Sequence, residues 1–391
     1  MLKLWNAILF LLLLVLARSL ESQQRVATAY LSRSSGYVGD QACRSCHQPE
    51  TNTYFETAHH LTSQMPTEHS ILGKFSVGES ILRTSNPALH YEMTESKEGH
   101  FETAVGDLSP FQKVTRTERI DIVVGSGRKG QTYLFWRNNE LFELPVSYWT
   151  ELDSWIISPG YHDDAPEFHR GVVPRCLECH AGSFESLQES DNSYDPSSLV
   201  LGITCERCHG PGGEHVLLRR SKTAAIPQTH DPIVNPASLP RDRQVDICAS
   251  CHSGQGHPLA PALSFIPGKV LQDYVRIPHQ ADAPIDVHGN QTQLLARSRC
   301  FRGSTMTCTT CHDVHKLQRD AASFSPHCLT CHKVKDCGKF KELGAKIRNN
   351  CVDCHMSVEV SNVIVSDTNG RTVKARVRNH EIRVYPGVVA Q

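Results

Sequence analysis

The stretch GITCERCHGPGGEH, residues 202–215, contains the pattern that decides how this chain is organised. Cys205 and Cys208 are separated by two residues, and His209 follows the second cysteine directly. This C-x-x-C-H pattern occurs seven times and uses fourteen of the 16 cysteines, whereas random placement would give about 0.04 copies. Numbered along the chain, motifs 1 to 7 are Cys43, Cys46 and His47; Cys176, Cys179 and His180; Cys205, Cys208 and His209; Cys248, Cys251 and His252; Cys308, Cys311 and His312; Cys328, Cys331 and His332; and Cys351, Cys354 and His355.

The spacing within each motif has a chemical reason. Two thiols separated by two residues can form thioethers with the two vinyl groups on one edge of a haem. The next histidine is then held beside the ring, where its imidazole can bind the iron from the proximal side. The two residues between the cysteines differ in every copy, as expected if they only span a gap. We therefore predict seven covalently bound haem c groups, with the last histidine of each motif as the proximal ligand.

Other uses of paired cysteines explain this pattern less well. Four-cysteine zinc sites take C-x-x-C pairs two at a time, and seven is odd. A disulfide framework gives no reason for the histidines. A thioredoxin-like redox motif would occur once, beside a βαβ pattern. Cys300 and Cys337 lie outside the motifs, and the sequence leaves open whether they form a disulfide or remain two free thiols.

The chain contains enough histidines to give each iron a second imidazole. Of 22 histidines, seven are proximal, which leaves 22 − 7 = 15 for other roles. This surplus predicts mostly bis-histidine haems. Met306 and Met356 could also bind iron, but packing against a ring is the favoured interpretation for both. The candidate distal ligands are His59, His60, His215, His315 and His380, and His162, His169, His230, His257, His279 and His288 are unranked.

The N-terminus and the composition predict export. Residues 4–17 are apolar apart from Asn6, and the sequence ATA at 27–29 offers a cleavage site, so residues 1–29 are predicted to be a signal peptide. An uncleaved anchor is the alternative. We expect a periplasmic or otherwise exported protein with no membrane span in the mature chain. A formal net charge of −1 argues against a partner with a phosphate backbone, so no nucleic acid is expected.

The motifs are unevenly distributed, which predicts a division of the chain into segments. After the signal peptide we expect an N-terminal haem segment (30–70), a haem-free β-rich insertion (71–161), a six-haem core (162–356) and a strand-like tail (357–391). The core has about thirty residues per haem, too few for a conventional core around each one. The predicted fold is a mainly α and irregular multihaem cytochrome c core, haem-packed with short helices and loops, plus a small antiparallel β-insertion, and thus α+β overall.

Short β-favouring runs occupy the insertion. We predict strands at 80–83, 90–93, 101–105, 120–124, 132–136 and 141–144, separated by turn signals. Trp136, Tyr148, Trp149 and Trp155 are concentrated near its end. They form either a docking face for a partner or, as the favoured interpretation, an edge packed against the haem core.

With these motifs, the chain resembles the cytochrome c-554-like multihaem c-type cytochromes. The resemblance rests on YVGDQACRSCH (37–47) with AHH (58–60), on GITCERCHGPGGEH (202–215), on MTCTTCHDVH (306–315) and on CVDCHM (351–356). GSGR (125–128) and SPGY (158–161) are similar to related exported proteins with a β-insertion. The resemblance implies bis-histidine ligation and periplasmic electron transfer, with His215, His315 and either His59 or His60 as distal ligands. The chain departs from four-haem members in haem number and insertion, and it lacks the C-x-x-C-K motif of related nitrite reductases.

The favoured functional hypothesis is an electron carrier for redox partner proteins, and an electron-transfer protein is preferred to an enzyme. The alternative is an oxidoreductase acting on a small nitrogen or sulfur compound, of the nitrite, hydroxylamine or tetrathionate type, at one haem with an open distal site. Each haem with ionised propionates adds about one negative charge when oxidised and two when reduced. The loaded protein is therefore acidic overall, which predicts partners with basic surfaces.

Overall fold

The computed structural model of the chain describes residues 36–109, 112–221, 231–254, 256–278, 284–286 and 289–385. The predicted signal peptide and three of the unranked histidines, His230, His279 and His288, lie outside these residues. The described part combines short helices with antiparallel sheets, which confirms the α+β class.

The helices are short, and several of them end on a proximal histidine. Within the described ranges none is long and apolar enough to cross a membrane. Helices α3, α4, α6 and α11 each end at the histidine of a C-x-x-C-H motif. The helices are α1 (Asp40–Arg44), α2 (Gln48–Tyr54), α3 (Pro174–His180), α4 (Glu206–His209), α5 (Gly213–Arg220), α6 (Arg241–His252), α7 (Gln291–Arg297), α8 (Arg299–Arg302), α9 (Ser325–Cys328), α10 (Phe340–Leu343) and α11 (Cys351–His355).

Most strands lie between residues 81 and 157, where the sequence predicts the β-insertion. The strands are β1 (Ser63–Gln64), β2 (Ile81–Arg83), β3 (Leu89–Ser96), β4 (Gly99–Ser109), β5 (Gln112–Arg119), β6 (Ile122–Val124), β7 (Gly130–Arg137), β8 (Glu140–Glu143), β9 (Val146–Trp149), β10 (Ser154–Ile157), β11 (Ala181–Ser183), β12 (Val200–Leu201), β13 (His257–Pro258), β14 (Val275–Arg276), β15 (Val358–Thr368) and β16 (Arg371–Arg378). All six runs that the sequence predicts as strands are present, with boundaries shifted by a few residues.

Two antiparallel sheets organise this region. Strands β2, β3, β4 and β5 form a meander in chain order. The second sheet has the order β1-β6-β7-β9-β10, and β8 pairs with the same long strand β7. Strand β1 comes from the predicted N-terminal haem segment and pairs Ser63 with Val124 of β6. The segment that follows motif 1 is thereby joined to the sheet by backbone hydrogen bonds.

The aromatic residues at the end of this region are packing residues. Trp149 and Trp155 are 8% and 5% exposed, Tyr148 is also buried, and Trp136 is half-buried. The indole of Trp155 donates a 2.9 Å hydrogen bond to the carbonyl of Lys74. The rings therefore have packing roles, as the favoured interpretation expects, and Tyr148 and Trp155 pack within the β-rich region itself.

The C-terminal tail forms the hairpin β15–β16, as the sequence predicts, and lies against the second sheet. The backbone amide of Ile157 donates to the Thr368 hydroxyl at 2.9 Å, and the Ser366 hydroxyl donates to the Ile157 carbonyl at 2.6 Å. Trp149 packs with Ala375 and other apolar residues of the hairpin and of the haem region. The tail therefore links the β-rich region to the segment that carries the later motifs.

The segment of residues 302–350 has almost no apolar core of its own. Every residue of this segment is described, and only Ser325 and Ile347 are buried. By contrast, the β-rich region buries a large cluster that includes Tyr91, Tyr133 and Phe135. A segment with so little buried apolar surface cannot offset its conformational entropy alone, so something other than its own side chains has to hold it.

The core of the β-rich region contains one buried carboxyl group. Glu102 of β4 is 1% exposed and faces the rings of Tyr91, Tyr133 and Tyr161. Neither of its carboxyl oxygens has a well-formed hydrogen bond among the described residues. Burial raises the pKa of Glu102 well above the usual 4.5, although the nearby backbone amide of Val146 acts in the opposite direction.

This raised pKa makes stability depend on pH. As the pH rises above about 4.5, the unfolded chain releases this proton while the folded chain keeps it. The stability that neutral Glu102 provides is therefore complete below that pH and is lost as the pH rises towards the folded-state pKa. We expect Glu102→Gln to raise the melting temperature at pH 8 and to change it little at pH 4. Calorimetry tests this, with the exposed turn variant Glu98→Gln as control, and equal shifts at both pH values would contradict it.

Candidate multihaem site

Each C-x-x-C-H motif begins with one turn of helix that places both thiols and the ring together. In motif 1 the His47 amide donates to the Cys43 carbonyl at 2.9 Å, a helical hydrogen bond that spans four residues. The same bond measures 3.0 Å in motifs 3, 5 and 6. One turn therefore presents two sulfur atoms and one imidazole, as attachment to one haem edge requires.

Four proximal histidines face a second histidine from a distant part of the chain. Two imidazoles bound to opposite sides of one metal, with bonds of about 2.0 Å, would have ring centres roughly 6 Å apart. The observed separations, between 6.0 and 6.4 Å, match this arrangement, so the residues fit a haem iron between each pair. The ring centres of His47 and His215 are 6.4 Å apart, those of His209 and His315 are 6.1 Å apart, those of His312 and His380 are 6.3 Å apart, and those of His252 and His59 are 6.0 Å apart.

Hydrogen bonds at the other ring nitrogen orient several of these imidazoles. His209 Nδ1 lies 2.9 Å from the Val234 carbonyl, and because a carbonyl can only accept, this nitrogen must carry the proton. The Nε2 atom then has a free lone pair, which is the form that binds a metal. Similar contacts join Nδ1 of His380 to the Arg378 carbonyl (3.1 Å), His355 to the Arg383 carbonyl (2.9 Å), His215 to Asp231 (2.7 Å), His252 to the Gln291 amide oxygen (3.2 Å) and His180 to the Thr62 hydroxyl (2.8 Å).

The structure separates the two adjacent candidates near motif 1. His59 faces His252, whereas the His60 ring stacks on Phe55 with a centroid distance of 4.5 Å. His60 Nδ1 also lies 3.8 Å from a carboxylate oxygen of Asp40. Of the two, only His59 is thus placed as a second ligand. Among the unranked histidines that the structure describes, His162, His169 and His257 are exposed.

Burial lowers the pKa of two of the distal candidates, His59 and His380. Desolvation by neighbouring atoms lowers the pKa of His59 to about 4, and His252 and His312 act in the same direction, although part of the His59 surface is open to solvent. Burial lowers the pKa of His380 to about 4, with His312 again adding to the shift and the Arg378 carbonyl opposing it. A neutral imidazole is the form that donates its lone pair to a metal, so this environment suits ligation at neutral pH.

The motifs lie next to one another as a connected series. Thiol groups of different motifs are close enough to influence each other's pKa at three places, which bring together motifs 1 and 3, motifs 2 and 4, and motifs 4 and 5. Burial raises the pKa of Cys328 to about 11, and nearby Cys351 and Cys311 add to the shift, so motif 6 lies between motifs 5 and 7. The neighbouring thiols are those of Cys43 and Cys205, of Cys179 and Cys251, and of Cys248 and Cys308.

Cys300 and Cys337 are both free thiols in the structure. Cys300 lies near Cys311, and Cys337 lies near Cys354, so each is next to a different motif. Of the two alternatives that the sequence leaves open, these separate locations favour two thiols over a disulfide.

A buried carboxylate holds motif 1 against motif 3. Glu206 is one of the two residues between the cysteines of motif 3, and it is 3% exposed. It accepts hydrogen bonds from the backbone amides of Val38 at 3.0 Å, Gly39 at 2.9 Å and Gly212 at 2.8 Å. The Cys205 amide in turn donates to Asp40 at 2.9 Å. These contacts position the segments that carry His47 and His215, and no sequence pattern had indicated this role for Glu206.

Comparisons with known proteins agree with this site. Residues 161–210, which contain motifs 2 and 3, match the family model of cytochrome c554 and c-prime. The fold is similar to the crystal structure of the outer cell wall cytochrome OcwA, with a TM-score of 0.54, 16% identity, and coverage of 89% of this chain and 80% of that chain. Part of the chain thus matches the cytochrome c554 family model and the fold is similar to that of a multihaem cytochrome, which confirms the predicted resemblance.

A second solved structure also matches, and the curated sequences do not. The undecahaem cytochrome from the S-layer of Carboxydothermus ferrireducens has a TM-score of 0.43 and 16% identity, over 90% of this chain and 52% of that chain. The comparison with curated proteins gave no match.

The Glu206 contacts generate a prediction about the first haem segment. Glu206→Ala leaves three backbone amides without their acceptor, which we expect to destabilise the docking of motif 1 on motif 3 by about 2–4 kcal/mol. Hydrogen exchange at Val38, Gly39 and Gly212 should accelerate, and the melting temperature should fall. Glu214→Ala, an exposed change on α5, is the matched control. Unchanged protection of these amides in the Glu206 variant would contradict the assignment.

Proposed function

We propose that the chain is an exported heptahaem c-type cytochrome that transfers electrons through a series of mostly bis-histidine haems. The observation that carries this proposal is the set of four ring pairs, because each combines a C-x-x-C-H histidine with a second histidine at the spacing that one iron requires. The bound haems would supply reversible one-electron iron chemistry.

The residues of the chain have separable roles in this proposal. The fourteen cysteines of the motifs attach the haems, and the seven histidines of the motifs bind from the proximal side. His59, His215, His315 and His380 bind from the distal side at motifs 4, 1, 3 and 5. The carboxylate of Asp231 contacts Nδ1 of His215 and strengthens that imidazole as an electron donor to iron. It would therefore favour the oxidised state of the haem held by motif 1.

Contacts between motifs support conduction along the chain. Because thiols of neighbouring motifs lie near one another, their attachment points are close together, with motif 4 next to motifs 2, 3 and 5. The sparse apolar core of residues 302–350 agrees with haem groups that fill the interior there. Close spacing of the haem groups thus stabilises the fold and also favours electron exchange between neighbouring haems.

The alternative, an oxidoreductase with one open distal position, finds no support at motifs 1, 3, 4 and 5. At these four motifs a second imidazole lies at the ring spacing that one iron between two imidazoles would require, and it would occupy the open position. Export is supported by the signal-like residues 1–29, and it agrees with the cell-wall location in the name of the similar structure.

The adjacent histidines His59 and His60 offer a sharp test of distal ligation. Replacing an axial histidine by methionine raises a haem potential, by an amount on the order of 0.1 V. We expect His59→Met to raise one potential and to leave the other six nearly unchanged. His60→Met, one residue away, should change none of them. Spectroelectrochemical titration of the purified proteins measures these potentials.

A second variant keeps the test informative if methionine does not bind. His59→Gly should produce one high-spin haem per molecule, visible by electron paramagnetic resonance, and added imidazole should restore the low-spin signal. Identical spectra and potentials in the His59 variants and the unaltered protein would remove His59 from the ligand set.

A further inference from the structure

The surface next to motifs 6 and 7 has a charge opposite to that of the whole chain. Residues 333–348 contain six basic and two acidic residues, so the segment has a net charge of 6 − 2 = +4, whereas the whole chain has −1. All six basic residues are exposed. We call them the basic patch: Lys333, Lys335, Lys339, Lys341, Lys346 and Arg348.

Ion pairs within the protein leave most of this charge available. Lys339 forms a 2.7 Å pair with Glu342, and both side chains are well exposed, so the pair is weak. Among the described residues, the other five members of the basic patch form no ion pair. Their charge is therefore directed to solvent or to a bound molecule.

The basic patch lies directly over the last two haem attachment points. Lys339 is close enough to Cys354 of motif 7 for its charge to oppose the rise in the pKa of that thiol, which burial causes. Cys331 and His332 of motif 6 are themselves exposed. Motif 6 is thus accessible at the surface beside the basic patch. Cys46 and His47 of motif 1 are exposed as well, so both ends of the series are accessible to partners.

The opposite end of the series has the opposite charge. Residues 36–70, which contain motif 1, have four acidic residues and one arginine, for a net charge of 1 − 4 = −3. These acidic residues are Asp40, Glu50, Glu56 and Glu68. Because local charge steers the encounter of two proteins, two ends of opposite sign select different partners.

Resting on the proposed function, we propose that the basic patch is the docking site of an acidic electron-carrier protein. One electron passes between a ferrous haem at motif 6 or 7 and an oxidised one-electron centre of that protein, or in the reverse direction between the reduced partner and a ferric haem. Two oxidised haems with ionised propionates add a charge of about −2, which leaves residues 333–348 and these haems with a net charge of about +2. The expectation of basic partners, which rests on overall charge, therefore does not apply at this end.

The size of the basic patch agrees with a transient protein partner. Electron-transfer encounters use small interfaces, below about 1,200 Å², and depend on charge more than on apolar burial. Within the segment, Val334, Phe340 and Leu343 are not fully buried but are interspersed with lysines, so the surface is predominantly polar. An anionic polysaccharide or a dissolved anion that binds in place of a protein is an outcome that the test distinguishes.

The test uses the haem-loaded protein and a flavodoxin as the acidic electron-carrier probe. Isothermal titration calorimetry with oxidised flavodoxin measures the dissociation constant from 10 to 300 mM salt, and stopped-flow mixing with reduced flavodoxin measures electron transfer. The variant Lys335→Glu/Lys341→Glu reverses two unpaired charges of the basic patch. Lys97→Glu/Lys113→Glu, on the four-stranded sheet, makes the same change in net charge at a distance and is the control.

We expect the patch variant to bind flavodoxin about tenfold more weakly at low salt, with a flatter salt dependence, and the control to change less than about twofold. Equal effects of the two variants would overturn the proposal, as would binding of a polyanion such as heparin to the patch without any flavodoxin binding. Haem content of each preparation separates the two levels of inference. If the purified protein contains no haem, the proposed function is refuted. If it contains all seven haems but the patch variant binds flavodoxin as tightly as the unaltered protein, only the docking site is refuted.

Discussion

The distance between paired imidazole rings is the constraint on which the rest of the structure depends. Each pair joins a motif to a histidine in another segment, as with His47 and His215 or His312 and His380. A ring separation near 6 Å can be held only if the segments that carry both residues are fixed relative to each other. Glu206 provides this for the first pair through three backbone amides, and the hairpin β15–β16 leads directly to His380 for another.

This constraint explains why the two halves of the fold are stabilised differently. The β-rich region buries its own apolar cluster and is closed by backbone hydrogen bonds between strands. Residues 302–350 have only Ser325 and Ile347 buried, so in our proposal ligation and packing around bound haem replace a conventional core. Because this segment buries so little of its surface, motif 6 is exposed among lysines. This end of the series of motifs is therefore accessible to other proteins. Stability and access to partners thus follow from one arrangement.

Sequence reasoning identified what local chemistry specifies. The seven motifs, the six strands with β-favouring residues, and His215 and His315 close to a motif could all be read from short patterns. Strand β5 was missed because its residues are mostly polar and exposed, and its identity depends on pairing with β4, as in the contact of Thr103 with Thr117. Two features depend on contacts between distant segments, which no local pattern contains. One is the choice between His59 and His60, and the other is the set of hydrogen bonds that Glu206 accepts from three backbone amides.

The most direct test of the account is anomalous diffraction at the iron absorption edge from crystals of the mature, haem-loaded protein. The account predicts seven iron peaks, with one peak midway between the rings of each of the four histidine pairs. Iron peaks bonded to other residues, or rings of these pairs that turn away from any peak, would contradict it.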